Sequence, residues 1–407
     1  MSKEILTASF LVLYTFTALG NAAKNKTHWV ATWATSAQPG DASNVPPAPA
    51  FTDSTLRQIV RVSIGGKQIR VRFSNAYGTT GLTIPSAHVA LSAGLSAIKP
   101  GTDKALTFHG NSSVTIPPGA LLYSDPIDFD LAPLSDLVVT IRLNGSPEQF
   151  TTHPASHATS YFHAGDAVSA EDMPTWVYVD HWYFLNGVEV LADKSAGAIV
   201  TLGDSITDGS KSTTNANNRW PDELARRLQA NKKTHNVAIL NEGIGGNRLI
   251  HDRAAQNALA RFDRDVLAQN GVRWLIVLEG VNDLGTRVSA KEHNEQAATA
   301  DDLIAAYEQI IFRAHAHNIR VYGATILPYE GAFYFTPDGE ADRQKLNQWI
   351  RTSGHFDAFI DLDAATRDAK NPAHLSEAAD SGDHLHPADG GYKIMGDTVD
   401  LKLFMKH

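Results

Sequence analysis

The stretch Ala198-Ile-Val-Thr-Leu-Gly-Asp-Ser-Ile-Thr-Asp-Gly209 decides the fold of the C-terminal half of the chain. Ala198 to Leu202 is a short apolar run with β-branched residues, which predicts a buried strand. The run ends at Gly203, and a helical pattern follows at Trp220–Gln229. Ser205 therefore lies at the carboxyl end of a strand, the usual place for a functional residue in an open α/β sheet. The alternative interpretation is that the Asp-Ser pair is turn chemistry alone.

Strands and helices alternate from this stretch to the C-terminus. The further strand candidates are Val237–Leu240, Trp274–Leu278, Val321–Thr325 and Ala358–Ile360. The further helical patterns are Ala254–Ala268, Asp301–Ala316, Ala341–Ile350 and Gly391–Leu401. This alternation is typical of βαβ units around a parallel sheet covered on both faces, and it predicts a three-layer α/β/α domain.

The preceding residues, 28–192, show a different pattern. Many short strand candidates separated by turn residues predict an all-β sandwich or jelly-roll domain. Within it, Thr55–Asn75 alternates apolar and polar residues on both sides of Gly65-Gly66, which predicts a β-hairpin with a two-residue turn. The polar segment Asp193–Gly197 separates this part from a second domain, 197–407. Because the segment is too short for free tumbling, we expect the two domains to pack against each other.

Composition excludes several classes of protein. The chain has 407 residues, long enough for two domains, with 43% hydrophobic and 19% charged residues. Its net charge is −9 and no basic block stands out, so nucleic acid and an anionic membrane are not expected as partners. Cysteine is absent, which excludes disulfides, thiolate nucleophiles and cysteine metal sites.

Residues 1–22 predict an export signal peptide. Lys3 gives a weakly basic start, Ile5–Leu19 is apolar but short for a bilayer span, and Gly20-Asn-Ala22 offers small residues at a cleavage site. We therefore predict a secreted or periplasmic protein without stable membrane association once the signal is removed. A single membrane anchor is the alternative.

Three more motifs stand at the ends of predicted strands. They are Asn241-Glu-Gly-Ile-Gly-Gly246, Gly280-Val-Asn-Asp283 and Asp383-His-Leu-His-Pro387. Together with Gly203-Asp-Ser205 they present Ser, Gly, Asn and His in that order. In these motifs the chain resembles the GDSL-type SGNH hydrolase family of esterases and acylhydrolases, from about Ala198 to the C-terminus. The resemblance implies a flavodoxin-like α/β/α domain that hydrolyses esters without a cofactor.

The motifs also contain the parts of a catalytic triad. A serine hydroxyl needs a base within hydrogen-bond reach, and the base needs an orienting acid. Ser205 would be the nucleophile that forms an acyl-enzyme, His386 the base and Asp383 the orienter. The family pattern Asp-x-x-His selects His386 over His384, which should point elsewhere or contact substrate. The alternative is a His-Pro turn beside a surface aspartate.

An oxyanion hole follows from the same resemblance. It implies that the backbone N–H groups of Ser205 and Gly246 and the side-chain amide of Asn282 meet the charged oxygen. The alternative for Gly246 is a place in a tight glycine turn, and the alternative for Asn282 is a role as a turn residue alone. Asp204 is expected to order the turn, and we expect no metal because the carboxylates show no coordination spacing. His153 and His157 are predicted to lie in a surface loop, Thr151–Ala158, with the rim of the active site as the second interpretation of that loop.

The order of the domains narrows the expected substrate. A β-domain before the hydrolase domain resembles the subgroup near xylanolytic arylesterases, which implies acyl groups, such as acetyl, on plant polysaccharide or related small esters. A lipid or aryl-ester hydrolase, lysophospholipase-like, is one alternative. A non-catalytic glycan-binding protein is another, and the intact Ser205, Asp383 and His386 argue against it.

Overall fold

The computed structural model describes residues 27–145, 147–253 and 255–405. The predicted signal peptide, residues 1–22, lies outside the described residues. Among the described residues, no helix is both long and apolar enough to span a membrane.

The N-terminal part is built from short antiparallel strands, as its sequence pattern predicts. In chain order they are β1 (Thr27–Ala34), β2 (Gln38–Pro39), β3 (Ser54–Arg61), β4 (Gly66–Ser74), β5 (Leu82–Ile84), β6 (Ala87–Gly94), β7 (Ala97–Ile98), β8 (Lys104–Ala105), β9 (Val114–Ile116), β10 (Leu121–Tyr123), β11 (Ile127–Leu131), β12 (Asp136–Leu143), β13 (Thr151–Pro154), β14 (Ser160–Ala164), β15 (Val177–Val179), β16 (His181–Tyr183) and β17 (Leu185–Asp193). One larger sheet has the order β1-β17-β4-β10, with β11 also on β4, and the other has the order β15-β14-β3-β12-β6-β7, with β8 also on β6. Apolar side chains from both sheets meet in one core.

The predicted hairpin at Thr55–Asn75 is wrong. β3 pairs with β12 and β14, whereas β4 pairs with β17, β10 and β11, so the two strands belong to different sheets. Between them the chain crosses from one sheet to the other, and the Ser63 N–H donates to the Thr32 carbonyl at 2.9 Å. Alternation along a strand identifies its buried face but not the strand that pairs with it.

The C-terminal part contains the predicted parallel sheet. Its strands are β18 (Gly197–Gly203), β19 (Val237–Gly243), β20 (Val272–Leu278), β21 (Arg320–Ala324) and β22 (Ala358–Ile360). The sheet order is β19-β18-β20-β21-β22, the flavodoxin-like order, and all pairs are parallel. Every residue of β18 is buried, since β18 has a neighbour on each side and layers on both faces.

Helices connect these strands. They are α1 (Ser205–Asp208), α2 (Trp220–Ala230), α3 (Ala258–Phe262), α4 (Val281–Gly285), α5 (Ala300–Ala316), α6 (Pro337–Thr352), α7 (Leu362–Thr366) and α8 (Asp389–Thr398). Five of them, α2, α3, α5, α6 and α8, lie within or overlap the helical patterns that the sequence predicts. A π-helical turn, Asp263–Leu267, continues α3, and 3-10 segments lie at Ala42–Asn44, Thr286–His293 and Leu401–Phe404. α5 shows why they form: Thr299 and Asp302 make a capping box, and Leu303, Tyr307 and Ile310 bury one face.

The two parts pack against each other, as the short connection predicts. The Ala31 N–H donates to the Asn270 carbonyl at 2.9 Å, and the Ile239 N–H donates to the Ser63 hydroxyl at 3.1 Å. Buried apolar side chains of both parts form one continuous cluster. The division into domains at 192–197 remains a prediction, because a shared core does not reveal whether either part folds alone.

The guanidinium of Arg261, fully buried at the end of α3, links both parts to the sheet. Its N–H groups donate to the Asn247 side chain (2.9 Å), the Ser36 hydroxyl (2.8 Å), the Glu242 carbonyl (2.7 Å), Asp265 (3.1 Å), the Gly203 carbonyl (3.0 Å) and Glu279 (3.5 Å). Gly203 and Glu242 lie at the carboxyl ends of β18 and β19, and Ser36 follows β1. One side chain therefore holds together two strand ends and the N-terminal part.

Replacing Arg261 should destabilise the fold strongly. In Arg261→Met the buried carboxylate of Asp265 loses one of its two arginine partners, and the buried carbonyls of Gly203 and Glu242 lose a donor, so we expect a loss of about 3–5 kcal/mol in the free energy of unfolding. Urea unfolding followed by tryptophan fluorescence measures it. The matched control is Lys345→Met, which removes a solvent-exposed ion pair with Asp301 and should not change the midpoint. Equal effects of the two substitutions would contradict a central role for Arg261.

Candidate active site

Ser205 is the first residue of α1, directly after β18. Asp204 caps the helix, its carboxylate accepting the Ile206 N–H at 2.9 Å, so it orders the turn as expected. The turn leaves no room at Gly203, where an added Cβ would lie 2.1 Å from the Thr207 hydroxyl oxygen. α1 ends at Gly209 with φ of 102°, and the N–H of Gly209 donates to the Ser205 carbonyl at 2.9 Å. The turn therefore presents Ser205 in one defined orientation.

Ser205, His386 and Asp383 form one hydrogen-bonded line. The distance from Ser205 Oγ to His386 Nε2 is 2.8 Å, and that from His386 Nδ1 to Asp383 Oδ2 is 2.9 Å. The other oxygen of Asp383 accepts the backbone N–H groups of Leu385 (3.0 Å) and His386 (2.8 Å). Because a carboxylate accepts from Nδ1, that nitrogen carries the proton, and Nε2 is left to accept the proton of Ser205.

The pKa of Asp383 favours the ionised carboxylate that this hydrogen-bonded line needs. Partial burial opposes its ionisation, but the backbone and ring N–H groups of His386 outweigh it and lower the pKa of Asp383 to about 2. His384 makes a different bond: its Nδ1 lies 2.6 Å from Asp380 Oδ2. His384 therefore points away from Ser205, in line with the Asp-x-x-His spacing.

The two other predicted donors lie on loops attached to the same strand ends. Gly246 is exposed with φ of 69°, and an added Cβ there would meet no heavy atom within 4 Å, so its backbone borders open space. The Ile244 N–H donates to the Gly203 carbonyl at 3.0 Å, which ties this loop to β18. Asn282, in α4, donates from Nδ2 to the Asn247 carbonyl at 2.9 Å. The structure thus joins the Asn282 helix to the Gly246 loop.

Buried carboxyl groups lie beneath the site. Burial, and then the charge of Asp283, outweigh a backbone hydrogen bond and raise the pKa of Asp204 to about 7. Burial likewise raises the pKa of Asp283 to about 6, although it accepts the backbone N–H groups of Leu249 and Ile250. Burial, with Asp204 nearby, raises the pKa of Glu279 well above its ordinary value. The described residues include no group of three or more His, Cys, Asp or Glu side chains arranged to hold a metal ion.

The expectation that His153 lies on a surface loop is wrong. It is buried in β13, with Nε2 3.0 Å from Asp208 Oδ1 and Nδ1 2.9 Å from the Ser36 carbonyl oxygen. Asp208 is the last residue of α1, so the N-terminal part supports the turn that begins with Ser205. The adjacent His157 is half-buried, and its carbonyl accepts the Asn215 N–H at 2.9 Å. Segment Thr151–Ala158 thus packs against the chain that follows Ser205.

The sequence interpretation did not identify Arg261 and Tyr334 as part of this region, and it placed His153 wrongly. Arg261 stands between buried apolar positions of a helical pattern, which is a signal of burial but names no partner. Tyr334 donates its hydroxyl to Asn282 Oδ1 at 3.1 Å across 52 residues of chain, without a motif. His153 forms a hydrogen bond with Asp208, which lies 55 residues later in the chain. Contacts over such separations have no periodic signature in the sequence.

Comparisons with known proteins agree with this geometry. Residues 201–394 match the model of the GDSL-like lipase/acylhydrolase family. The match runs from β18 into α8 and covers just under half of the chain, including the four motifs with Ser205, Gly246, Asn282 and His386. No curated protein sequence matches the chain.

Solved structures similar to this chain cover about half of it. Acetylxylan esterase Axe2 from Geobacillus stearothermophilus matches with 21% identity and a TM-score of 0.40, over 50% of this chain and 94% of its own. A GDSL-like lipase from Bacteroides thetaiotaomicron matches with 21% identity and a TM-score of 0.38, over 51% and 87%. A protein assigned to the lipolytic G-D-S-L family from Desulfitobacterium hafniense matches with 22% identity and a TM-score of 0.38, over 49% and 96%.

The hydrogen bond between Ser205 and His386 should make this serine unusually reactive. We expect a serine-directed phosphonate to label Ser205, and His386→Ala to slow labelling by roughly 10³-fold because the base is lost. His384→Ala is the matched control and should label at the wild-type rate. Equal slowing by both alanine variants, measured by intact-protein mass spectrometry, would contradict this assignment.

Glu279 should make stability depend on pH in a defined direction. Its pKa is raised in the folded state, so above the ordinary carboxyl pKa the unfolded chain releases a proton that the folded chain keeps. Stability from this residue is therefore lost as pH rises. Urea titrations at about pH 5 and about pH 8 measure the difference in unfolding free energy between Glu279→Gln and wild type. This difference should shift in favour of Glu279→Gln at the higher pH. The exposed Glu377→Gln serves as control, and a difference that does not change with pH for Glu279→Gln would refute the expectation.

Proposed function

We propose that the protein is an ester hydrolase that acts through a Ser205–His386–Asp383 triad, a proposal supported by the match of residues 201–394 to the GDSL-like lipase/acylhydrolase family. The observation that carries this proposal is the hydrogen-bonded line from Ser205 Oγ through His386 to Asp383, with distances of 2.8 and 2.9 Å. In this arrangement Asp383 binds the Nδ1 side of the ring, and Nε2 faces the hydroxyl whose proton it would accept.

The reaction proceeds in two halves. His386 Nε2 takes the hydroxyl proton as Ser205 Oγ attacks the ester carbonyl carbon, and the carbonyl oxygen becomes an oxyanion. The intermediate collapses as His386 gives the proton to the leaving alcohol, which leaves an acyl-enzyme. His386 then takes a proton from water, whose oxygen attacks the acyl carbon, and returns that proton to Ser205 Oγ. Asp383 holds the ring and stabilises its charged form.

Three donors would meet the oxyanion. As the first residue of α1, Ser205 has an N–H without an intrahelical acceptor. Gly246 borders open space on a loop tied to β18, and Asn282 has a second amide hydrogen beyond the one that binds Asn247. Removing one such donor from an oxyanion hole typically costs about 3–4 kcal/mol of transition-state stabilisation.

We propose deacetylation as the reaction, with plant polysaccharide or a related small ester as the substrate. The order of the two parts supports this choice, because a β-domain before the hydrolase domain resembles the subgroup near xylanolytic arylesterases. A long acyl chain would need an apolar channel beside the nucleophile. Exposed aromatic rings on the N-terminal part, Trp176 (39% exposed) and Tyr178 (63% exposed), support a sugar substrate because flat rings offer stacking surfaces.

An aryl or lipid ester is the second candidate. Phe333 is 89% exposed, with its ring 4.3 Å from that of Tyr334, which contacts Asn282. An exposed phenyl ring so close to a proposed oxyanion donor favours an apolar or aromatic group on the substrate. Residues 1–22 are proposed to be an export signal, which would place the enzyme in the periplasm or outside the cell, where either substrate is met.

Ser205→Ala and a set of substrates test the proposal together. We expect kcat on p-nitrophenyl acetate to fall by several orders of magnitude in Ser205→Ala. The wild-type enzyme should prefer acetate to butyrate and octanoate esters, and it should release acetate from acetylated xylan.

The two parts of the proposal fail separately. Wild-type activity in Ser205→Ala would reject the triad. A preference for octanoate, or for aryl esters with no release from xylan, would reject the polysaccharide substrate and favour the second candidate. Ser210→Ala, a substitution of a serine just beyond α1, is the matched control for the first experiment.

A further inference from the structure

The loop between β21 and α6 places a buried tyrosine, Tyr334, within hydrogen-bond distance of the Asn282 side chain. Tyr334 is 5% exposed, and its ring packs against α4 at Gly285. A Cβ added to Gly285 would lie 2.0 Å from a ring carbon of Tyr334, so only glycine permits this approach. The rings of Tyr329 (5.9 Å between centroids) and Phe333 (4.3 Å) pack beside it. The ring of Tyr334 is thereby held in one place.

Hydrogen-bond chemistry settles which way the Asn282 amide faces. One end of the amide lies 2.9 Å from the Asn247 carbonyl oxygen, which can only accept, so that end is the NH₂ group. The other end is therefore the oxygen Oδ1, which lies 3.1 Å from the Tyr334 hydroxyl. The hydroxyl must donate to Oδ1. Of the two hydrogens on Nδ2, one goes to Asn247 and the other remains for a ligand.

The hydroxyl keeps its proton over the working range of an enzyme. Burial, with Asp204 next in effect, raises the pKa of Tyr334 well above the ordinary tyrosine value. The hydroxyl is therefore a permanent donor, and the orientation of the Asn282 amide does not change with pH.

We propose that Tyr334 is a positioning residue for ester hydrolysis, acting through Asn282. By donating to Oδ1 it prevents rotation of the amide and draws electron density toward the oxygen, which makes the free Nδ2 hydrogen a stronger donor to the developing oxyanion. This proposal rests on the proposed function, in which Asn282 meets the oxyanion. Its effect belongs to the transition state, because the ground-state carbonyl carries little charge.

Tyr334→Phe removes only the hydroxyl and keeps the ring. We expect kcat on p-nitrophenyl acetate to fall roughly tenfold, with KM unchanged, because the lost interaction is made in the transition state. The matched control is Tyr329→Phe in the same loop, whose buried hydroxyl has no hydrogen-bond partner within the described ranges. That variant should keep the wild-type kcat. Wild-type kcat in Tyr334→Phe, or an equal loss in both variants, would overturn the proposal.

A double-mutant cycle separates positioning from packing. Asn282→Ala should cost roughly 10²–10³ in kcat, and Asn282→Ala with Tyr334→Phe should cost no more than that, since Tyr334 acts only through the amide. If the two losses multiply, the hydroxyl acts independently of Asn282 and the proposal fails. Urea unfolding of each variant accompanies the kinetics, so that a loss of folded enzyme is not read as a loss of kcat.

Gly285→Ala provides a second route if Tyr334→Phe does not fold. The new Cβ displaces the ring and its hydroxyl while leaving Tyr334 and Asn282 chemically intact. A kcat loss that vanishes in an Asn282→Ala background supports the proposal, and wild-type kcat overturns it.

Ser205→Ala distinguishes the two levels of failure. An active Ser205→Ala rejects the proposed function itself. An inactive Ser205→Ala beside a fully active Tyr334→Phe rejects only the role of Tyr334.

Discussion

The buried guanidinium of Arg261 is the constraint on which the rest of the site depends. It donates to the carbonyls that end β18 and β19, to the side chain of Asn247 and to Ser36 of the N-terminal part. A charge without solvent must have all of its donors satisfied, so these partners cannot move independently. Two residues beyond one of those carbonyls stands Ser205, and one residue before Asn247 stands Gly246. The proposed nucleophile and a proposed oxyanion donor are thus both positioned by the same buried guanidinium.

Polar bonds between loops extend this constraint across the site. Asn282 is held between the Asn247 carbonyl and the Tyr334 hydroxyl, and Asp283 next to it accepts two backbone N–H groups from residues 249–250. On the other side, His153 of the N-terminal part bonds to Asp208 at the end of α1. The N-terminal strands are therefore more than an attached module, because they contribute polar partners to the segment that begins with Ser205. These contacts between the two parts agree with the short connection that joins them.

Much of this could be predicted from the sequence, and the reason is locality. Apolar runs of strand length, spaced by amphipathic helices, predict the parallel strands within a few residues, because burial on both faces needs continuous apolar sequence. The spacing Asp383-x-x-His386 places both side chains on one turn, where the structure has them 2.9 Å apart. The supposed hairpin around Gly65-Gly66 shows the limit. Its alternation describes buried faces correctly, yet β3 and β4 pair with other strands, since pairing depends on residues far along the chain.

The sequence by itself therefore determined the layer architecture, the strand ends at which the motifs stand and the residues that we propose for catalysis. Only the tertiary structure decided what supports them: that an arginine in α3 joins both parts, that His153 is buried against Asp208, and that Tyr334 sets the amide of Asn282. Periodicity and motif spacing record interactions between residues close in the chain. A buried hydrogen bond between residues 52 or 55 positions apart depends on how several elements pack together, and no local pattern encodes that.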